Sequence, residues 1–285
     1  FISFRKAMPV WLREKLFQKR LLMRSLAQID ESFDDANRLL FAEHHYSHAA
    51  SAFHPSPFDE AVVLTLDGVG EWATSSVAIG RGSNLELVRE IRFPHSLGLL
   101  YSAFTQYAGF RVNSGEYKLM GLAPYGEPIH TDLILDHLID LRDDGSFRLD
   151  QRFFDYATGL RMINRSFEEL FGRSARDPDA DAIEPFHMDI AASIQAVTEQ
   201  VLLTLTRSLS EEFGLPNLCM AGGVALNCVA NGKVLRDASF EEIWIQPAAG
   251  DAGGAVGAAY AAYHRELGHR RRPVRTDGMK GSLLG

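Results

Sequence analysis

Three of the chain's ten histidines fall within five residues, in HHYSHAAS (44–51). His44 and His48 are four apart, so a helix puts both imidazoles on one face, about 5–6 Å apart at Cβ. Two rings so placed can reach a single metal ion. The zinc-protease form of this pattern needs Glu directly after the first His, and His45 stands there instead. The stretch reads either as a metal-binding pair or as ordinary polar residues of a helix, and not as a zinc protease.

Three further motifs carry candidate chemistry. LTLDGVG sets Asp67 at the C-terminal end of an apolar run, followed by glycines. A carboxylate there faces the crevice where α/β folds bind ligands, and Gly68 and Gly70 let backbone N–H groups approach a phosphate closely. Asp-Gly is also a common hairpin dipeptide, so a plain turn is the competing reading. MAGGVALN predicts a strand, then Gly222-Gly223 opening a helix with Asn227 one turn inside. A nucleotide could lie against such a backbone, or the glycines could serve close helix–strand packing. The spacing fits neither the dinucleotide fingerprint nor the P-loop. AAGDAGGAVGAA offers Asp251 as a helix N-cap or a metal ligand, ahead of a helix of small residues suited to a tight crossing. His44, His48, Asp67 and Asp251 together make four ligands of a kind that suits Fe(II) or Zn(II).

The elements that must position these residues follow from pattern. Residues 8–29 alternate apolar and basic at helical spacing, which predicts a surface helix with one face on the body; a membrane-surface helix is the alternative. A helix begins near His44, and the prolines of HPSPF end it. Residues 61–92 read as three strands joined by tight turns, an antiparallel meander at a sheet edge. Helices follow at 96–110 and 187–214, with Gly109 and Gly214 as C-terminal signals. Residues 113–180 are irregular apart from NSGEYKLMGLAPYG. Two strand–glycine-loop–helix units close the chain, and HRRRPVRTDG reads as a linker. Strands alternating with helices after a meander imply an α/β fold.

The 285 residues suffice for one large domain or two packed lobes. Hydrophobic residues at 46% and charged residues at 23% are ordinary for a soluble globular protein. A net charge of -8 argues against a nucleic-acid grip driven by bulk electrostatics. No apolar run approaches the ~20 residues that span a bilayer, and two cysteines, Cys219 and Cys228, point to a reducing cytoplasm rather than a disulfide framework. The chain opens FISFRK and closes GMKGSLLG, so a piece of a longer protein is expected.

Taken in order, HHYSHAASAF, LTLDGVGEWATSS, NSGEYKLMGLAPYG, AGGVALN and GDAGGAVGAA resemble the O-carbamoyltransferases of antibiotic biosynthesis and nodulation, the nodulation-protein-U type. The larger domain of that family resembles the universal tRNA threonylcarbamoyl-transfer subunit. The resemblance implies an actin/sugar-kinase/Hsp70-like ATPase fold of two lobes. Residues 1–58 would be the remnant of an incomplete lobe one, 59–269 lobe two, and 270–285 a linker toward an absent YrdC-like domain. It implies metal ligation, most of all of Fe(II), by His44, His48, Asp67 and Asp251. Gly68 and Gly70 would belong to a phosphate loop, Gly222, Gly223 and Asn227 to the adenosine-side loop, and Lys118 would contact the adenylate phosphate. His45 is the available proton acceptor. Carbamoyl phosphate and ATP would give carbamoyl adenylate, and the carbamoyl group would pass to a hydroxyl of a small molecule or glycan. A tRNA-modifying subunit, or a nucleotide-binding scaffold without catalysis, are the competing functions.

Overall fold

The computed structural model describes residues 2–33 and 35–275. The described residues form helices α1 (Ile2–Arg13), α2 (Gln18–Ile29) and α3 (His44–Phe53), then strands β1 (Glu60–Leu66), β2 (Ala73–Arg81) and β3 (Asn84–Arg92). Helices α4 (Leu97–Tyr107), α5 (Glu116–Leu122) and α6 (Thr131–His137) lead to a short hairpin of β4 (Ile139–Leu141) and β5 (Phe147–Leu149). Then come α7 (Arg165–Phe171), α8 (Pro185–Phe213), β6 (Asn217–Ala221), α9 (Cys228–Asp237), β7 (Glu242–Ile245) and α10 (Asp251–Tyr260). The fold is α/β, as the alternation predicts.

The main sheet runs β3-β2-β1-β6-β7. β1, β2 and β3 form the predicted antiparallel meander, with β3 at the edge, while β1, β6 and β7 run parallel. β1 is central, and residues 61–66 are all buried. Its alternation divides two cores, because successive side chains point to opposite faces. Val62, Leu64 and Leu66 face the layer of α4 and α8; Ala61 and Val63 face α3. Thr65, on the α3 side, brings a hydroxyl to that otherwise apolar face, and His45 meets it there.

α8 ends at Gly214 in the left-handed conformation, as predicted. Between 113 and 180 the irregular stretch resolves into elements of three to seven residues, packed through an aromatic group of Phe104, Phe154, Phe167 and Phe171. Elements that short leave no readable periodicity.

The 8–29 region departs from expectation. It is two helices, the first starting at Ile2, broken by a 3₁₀ turn at Lys15–Phe17. No residue of α2 is buried, and Trp11, Leu12, Leu16 and Phe17 are exposed. Basic residues interrupt the apolar set, and Met23, Leu26 and Ala27 of α2 are only partly buried. The boundary expected near 58 falls between α3 and β1, yet α3 packs on β1, β2 and β6. Of the expected linker 270–285, residues 276–285 lie outside the described residues. No helix among the described residues is long and apolar enough to cross a membrane.

Candidate metal centre

The C-terminal ends of the parallel strands β1, β6 and β7 meet the first turn of α3. Strand ends of this kind form the ligand crevice of open α/β sheets. β1 delivers Asp67, β6 delivers Gly222 and Gly223, and the loop after β7 delivers Asp251. Gly222 has φ +95°, and a Cβ there would sit 2.2 Å from the Leu66 carbonyl oxygen, so only glycine fits. The Gly222 N–H donates to Ala249 O at 2.7 Å, tying the β6 loop to the β7 loop. The Gly223 N–H donates to Asp67 Oδ1 at 3.0 Å, which leaves Oδ2 free for the histidines.

Both Nε2 atoms of the histidine pair converge on that oxygen. His44 Nε2 lies 2.7 Å from Asp67 Oδ2 and His48 Nε2 lies 3.3 Å from it. The two Nε2 atoms are 3.0 Å apart. Asp251 Oδ1 completes the group at 3.6 Å from His44 and 3.5 Å from His48. One ligand atom from each of the four residues lies within 4.8 Å of every other. Ligand bonds of about 2.1 Å in a tetrahedron set neighbouring donors about 3.4 Å apart, and the observed spacings bracket that value. His48 is fully buried and its Nδ1 has no partner among the described residues, which leaves Nε2 to meet the other ligands. Two imidazole nitrogens aimed at one another and at the same carboxylate are the donor set a divalent cation fits. Asp251 is the first residue of α10, with Gly250 at the N-cap position, so the capping alternative does not apply to it.

The electrostatics follow from this geometry. Burial alone pushes the Asp67 carboxyl up, but hydrogen bonds with His44 and His48 outweigh it and hold the group well below the usual carboxylate range. The bond to Asp67 raises the His44 pKa against the opposing effect of burial. Burial lowers that of His45.

The His45 ring lies beside the pair, its centre 5.7 Å from that of His44, but its nitrogens do not join the cluster. Its Nδ1 meets Thr65 Oγ1 at 2.7 Å, Thr65 Oγ1 meets Ser76 Oγ at 2.5 Å, and Nε2 is buried without a hydrogen-bond partner among the described residues. His45 lines an open groove of about 750 Å³ with Glu43, Glu71, Trp72 and Arg92. Gly70 packs on the rings: a Cβ there would lie 2.9 Å from His45 Cδ2 and 3.0 Å from His44 Cδ2. Ser96 Oγ donates to the Gly68 carbonyl oxygen at 2.6 Å, bracing the turn from the start of α4.

Two candidates lie apart from this cluster. Lys118 is exposed on α5, with its ammonium 5.9 Å from the Tyr117 ring centroid and no bond to the cluster. Asn227 is not inside a helix opened by the double glycine. Gly223–Leu226 form a 3₁₀ turn, and Asn227 caps α9, accepting from Ala230 N–H at 3.0 Å. Its remaining bonds go to Gln195, so its side chain is committed to the fold. Thr65, Glu71 and Ser96 are the site residues that sequence reasoning passed over. Their only signals are a hydroxyl inside an apolar strand and an acid four residues after Asp67.

Residues 2–260 match the family model for the carbamoyltransferase N-terminus. The chain belongs to the carbamoyltransferase family. It is 61% identical over 284 residues to the uncharacterized protein sll1178 of Synechocystis, covering 99% of this chain and 46% of that one. Nodulation protein NolNO of Sinorhizobium fredii is 39% identical over 247 residues, 85% of this chain and 34% of that one. Nodulation protein NolO of Bradyrhizobium diazoefficiens is 36% identical over 221 residues, 76% of this chain and 37% of that one. The chain thus spans less than half the length of these relatives. The crystal structure of T. kodakarensis HypF overlaps 86% of this chain and 39% of its own at a TM-score of 0.42 and 16% identity, too loose an overlap to argue from.

Proposed function

We propose that this chain is the transfer region of an O-carbamoyltransferase, passing a carbamoyl group from carbamoyl adenylate to a hydroxyl of a small molecule or glycan. The observation that carries the reading is the convergence of His44, His48, Asp67 and Asp251 within 4.8 Å, in a chain of the carbamoyltransferase family. In this reading residues 59–269 are lobe two of an actin/sugar-kinase/Hsp70-like fold and 1–58 belong to lobe one. The adenylate comes from carbamoyl phosphate and ATP on a YrdC-like domain of the longer protein. Two unpaired cysteines suit a cytoplasmic setting.

The acceptor oxygen bonds to the carbamoyl carbon, the bond from that carbon to the adenylate phosphate oxygen breaks, and AMP leaves. His45 takes the hydroxyl proton: Thr65 holds Nδ1, burial keeps the ring neutral, and the buried Nε2 is the nitrogen left to accept once acceptor binding opens a path to it. The turn of Gly68 and Gly70 lines the phosphate site, with the Gly70 N–H kept for Ala73 O; Gly222 and Gly223 border the adenosine, and Lys118 meets the adenylate phosphate when the lobes close. Asn227 serves by capping α9 beside that loop. A divalent cation, Fe(II) or Zn(II), supplies Lewis-acid stabilisation of charge on substrate oxygens; His44, His48, Asp67 and Asp251 hold it.

The test is metal analysis of protein purified without oxygen, for wild type, His48→Ala and Asp251→Asn. About one metal per chain in the wild type, lost in both variants, is the expected result. The Asp251 side chain is 78% exposed, so that variant keeps its fold. A folded wild type that refuses added Fe(II) and Zn(II) sinks the reading.

A further inference from the structure

α3 presents His44 and His48 from its first turn, where helical N–H groups lack intrahelical partners. The residue at its N-cap, Glu43, makes no side-chain capping bond. The cap arrives from elsewhere in the chain: both carboxylate oxygens of Glu71 accept from the His44 backbone N–H, at 3.1 and 3.2 Å. Glu71 sits in the turn that Asp67 begins. That turn is closed by Asp67 N–H to Thr74 O and Gly70 N–H to Ala73 O, each 2.9 Å. A negative group at a helix N-terminus is also favoured by the helix dipole. One carboxylate therefore fastens the turn carrying one ligand to the helix carrying two others.

We infer that Glu71 is a positioning residue for the metal centre, holding the His44–His48 pair in register with Asp67. The inference rests on the metal reading above. Glu71 is not one of the four ligands: its hydrogen bonds go to the His44 backbone N–H, and its charge also favours the protonated His44 ring. Outer groups that orient ligands typically govern metal affinity 10- to 100-fold.

The probe is Co(II), titrated into wild type, Glu71→Ala and Glu71→Gln, with the visible absorption bands reporting coordination. Hydrogen exchange at the His44 amide of the metal-free proteins is measured in parallel. Glu71→Ala is expected to bind Co(II) at least about tenfold more weakly and to exchange its His44 amide faster, with thermal unfolding little changed. Glu71→Gln, which keeps an acceptor oxygen, recovers most of both. Equal Co(II) affinity in wild type and Glu71→Ala overturns the inference and leaves the metal reading intact. A loss in Glu71→Gln equal to that in Glu71→Ala also overturns capping as the cause. A wild type that takes up no Co(II) overturns the metal reading, and this one with it.

Discussion

His54 is the C-cap residue at the other end of the helix that carries the site, and it meets the opposite of His48's surroundings. It is buried, and neither ring nitrogen has a hydrogen-bond partner among the described residues. Its ring stacks on His264 at 4.3 Å, and Arg271 bonds its carbonyl oxygen. Burial, with the charges of His264 and Arg271, lowers its pKa from 6.5 to about 3. The unfolded chain binds a proton there near pH 6.5, and the folded chain does not until near pH 3. The contribution to stability is therefore complete above pH 6.5 and is lost as pH falls toward 3, by up to about 1.4 kcal/mol per pH unit. Urea unfolding of metal-free wild type and His54→Phe from pH 7 to 4 measures this. The wild type is expected to lose more stability than the variant across that range; parallel curves would mean that His54 titrates normally. At this scale the sequence was most legible where chemistry and periodicity coincide. His44, His48, Asp67 and Asp251 are read from spacing and strand ends, and the fold brings them together. Glu71 was not legible, because its role depends on a turn folding back onto a helix 27 residues earlier.

The distance from Asp251 to the histidine pair is set by how closely α10 crosses α3. Small residues in GDAGGAVGAA predict a tight crossing, and the structure supplies the partner. A Cβ on Gly257 would fall 1.7 Å from the Ser47 carbonyl oxygen, one residue before His48. Gly257→Ala must therefore separate the helices, despite the better helix propensity of alanine. Overpacking of this kind costs about 1–3 kcal/mol, and here it also moves Asp251 off the cluster. Chemical denaturation is expected to give a lower midpoint, and metal titration a weaker affinity than for Gly254→Ala, where a Cβ meets nothing within 4 Å. Equal behaviour of the two variants would show that the crossing has slack. Other elements were less legible. β4, β5 and α5 to α7 are too short for periodicity to register. Asn227 was read as a ligand-side residue because double glycine followed by a helix allows it; its actual bonds, to Gln195 and its own helix, involve a residue 32 positions away.

Across the molecule, the segment after α10 returns to the end of the sheet opposite the metal centre. Arg271 is buried there and spends its guanidinium on backbone oxygens of the turn after α3: Nε donates to His54 O, while the terminal nitrogens donate to Phe58 O and Ser56 O. Its own N–H donates to Ser83 Oγ in the β2–β3 turn, and its guanidinium lies 4.3 Å from the centre of the Phe53 ring. α3 is thus fixed at both ends, by Glu71 at the metal centre and by Arg271 at its exit into β1. The sequence read 270–285 as a linker because its basic, proline-containing composition gives no periodic signal. A single arginine satisfying three carbonyls leaves no such signal either. Arg271→Met keeps the apolar stem but strands those oxygens, each costing about 1–3 kcal/mol if left buried without a donor. The variant is expected to lose about 3 kcal/mol or more in urea unfolding, while the folded fraction binds metal as tightly as the wild type. The cluster lies at the far end of α3 and depends on Glu71 and Gly257 instead. A loss below about 1 kcal/mol would mean that water replaces the guanidinium and the segment does not strap the sheet. A large loss of metal affinity in the folded variant would mean that the two ends of α3 move together.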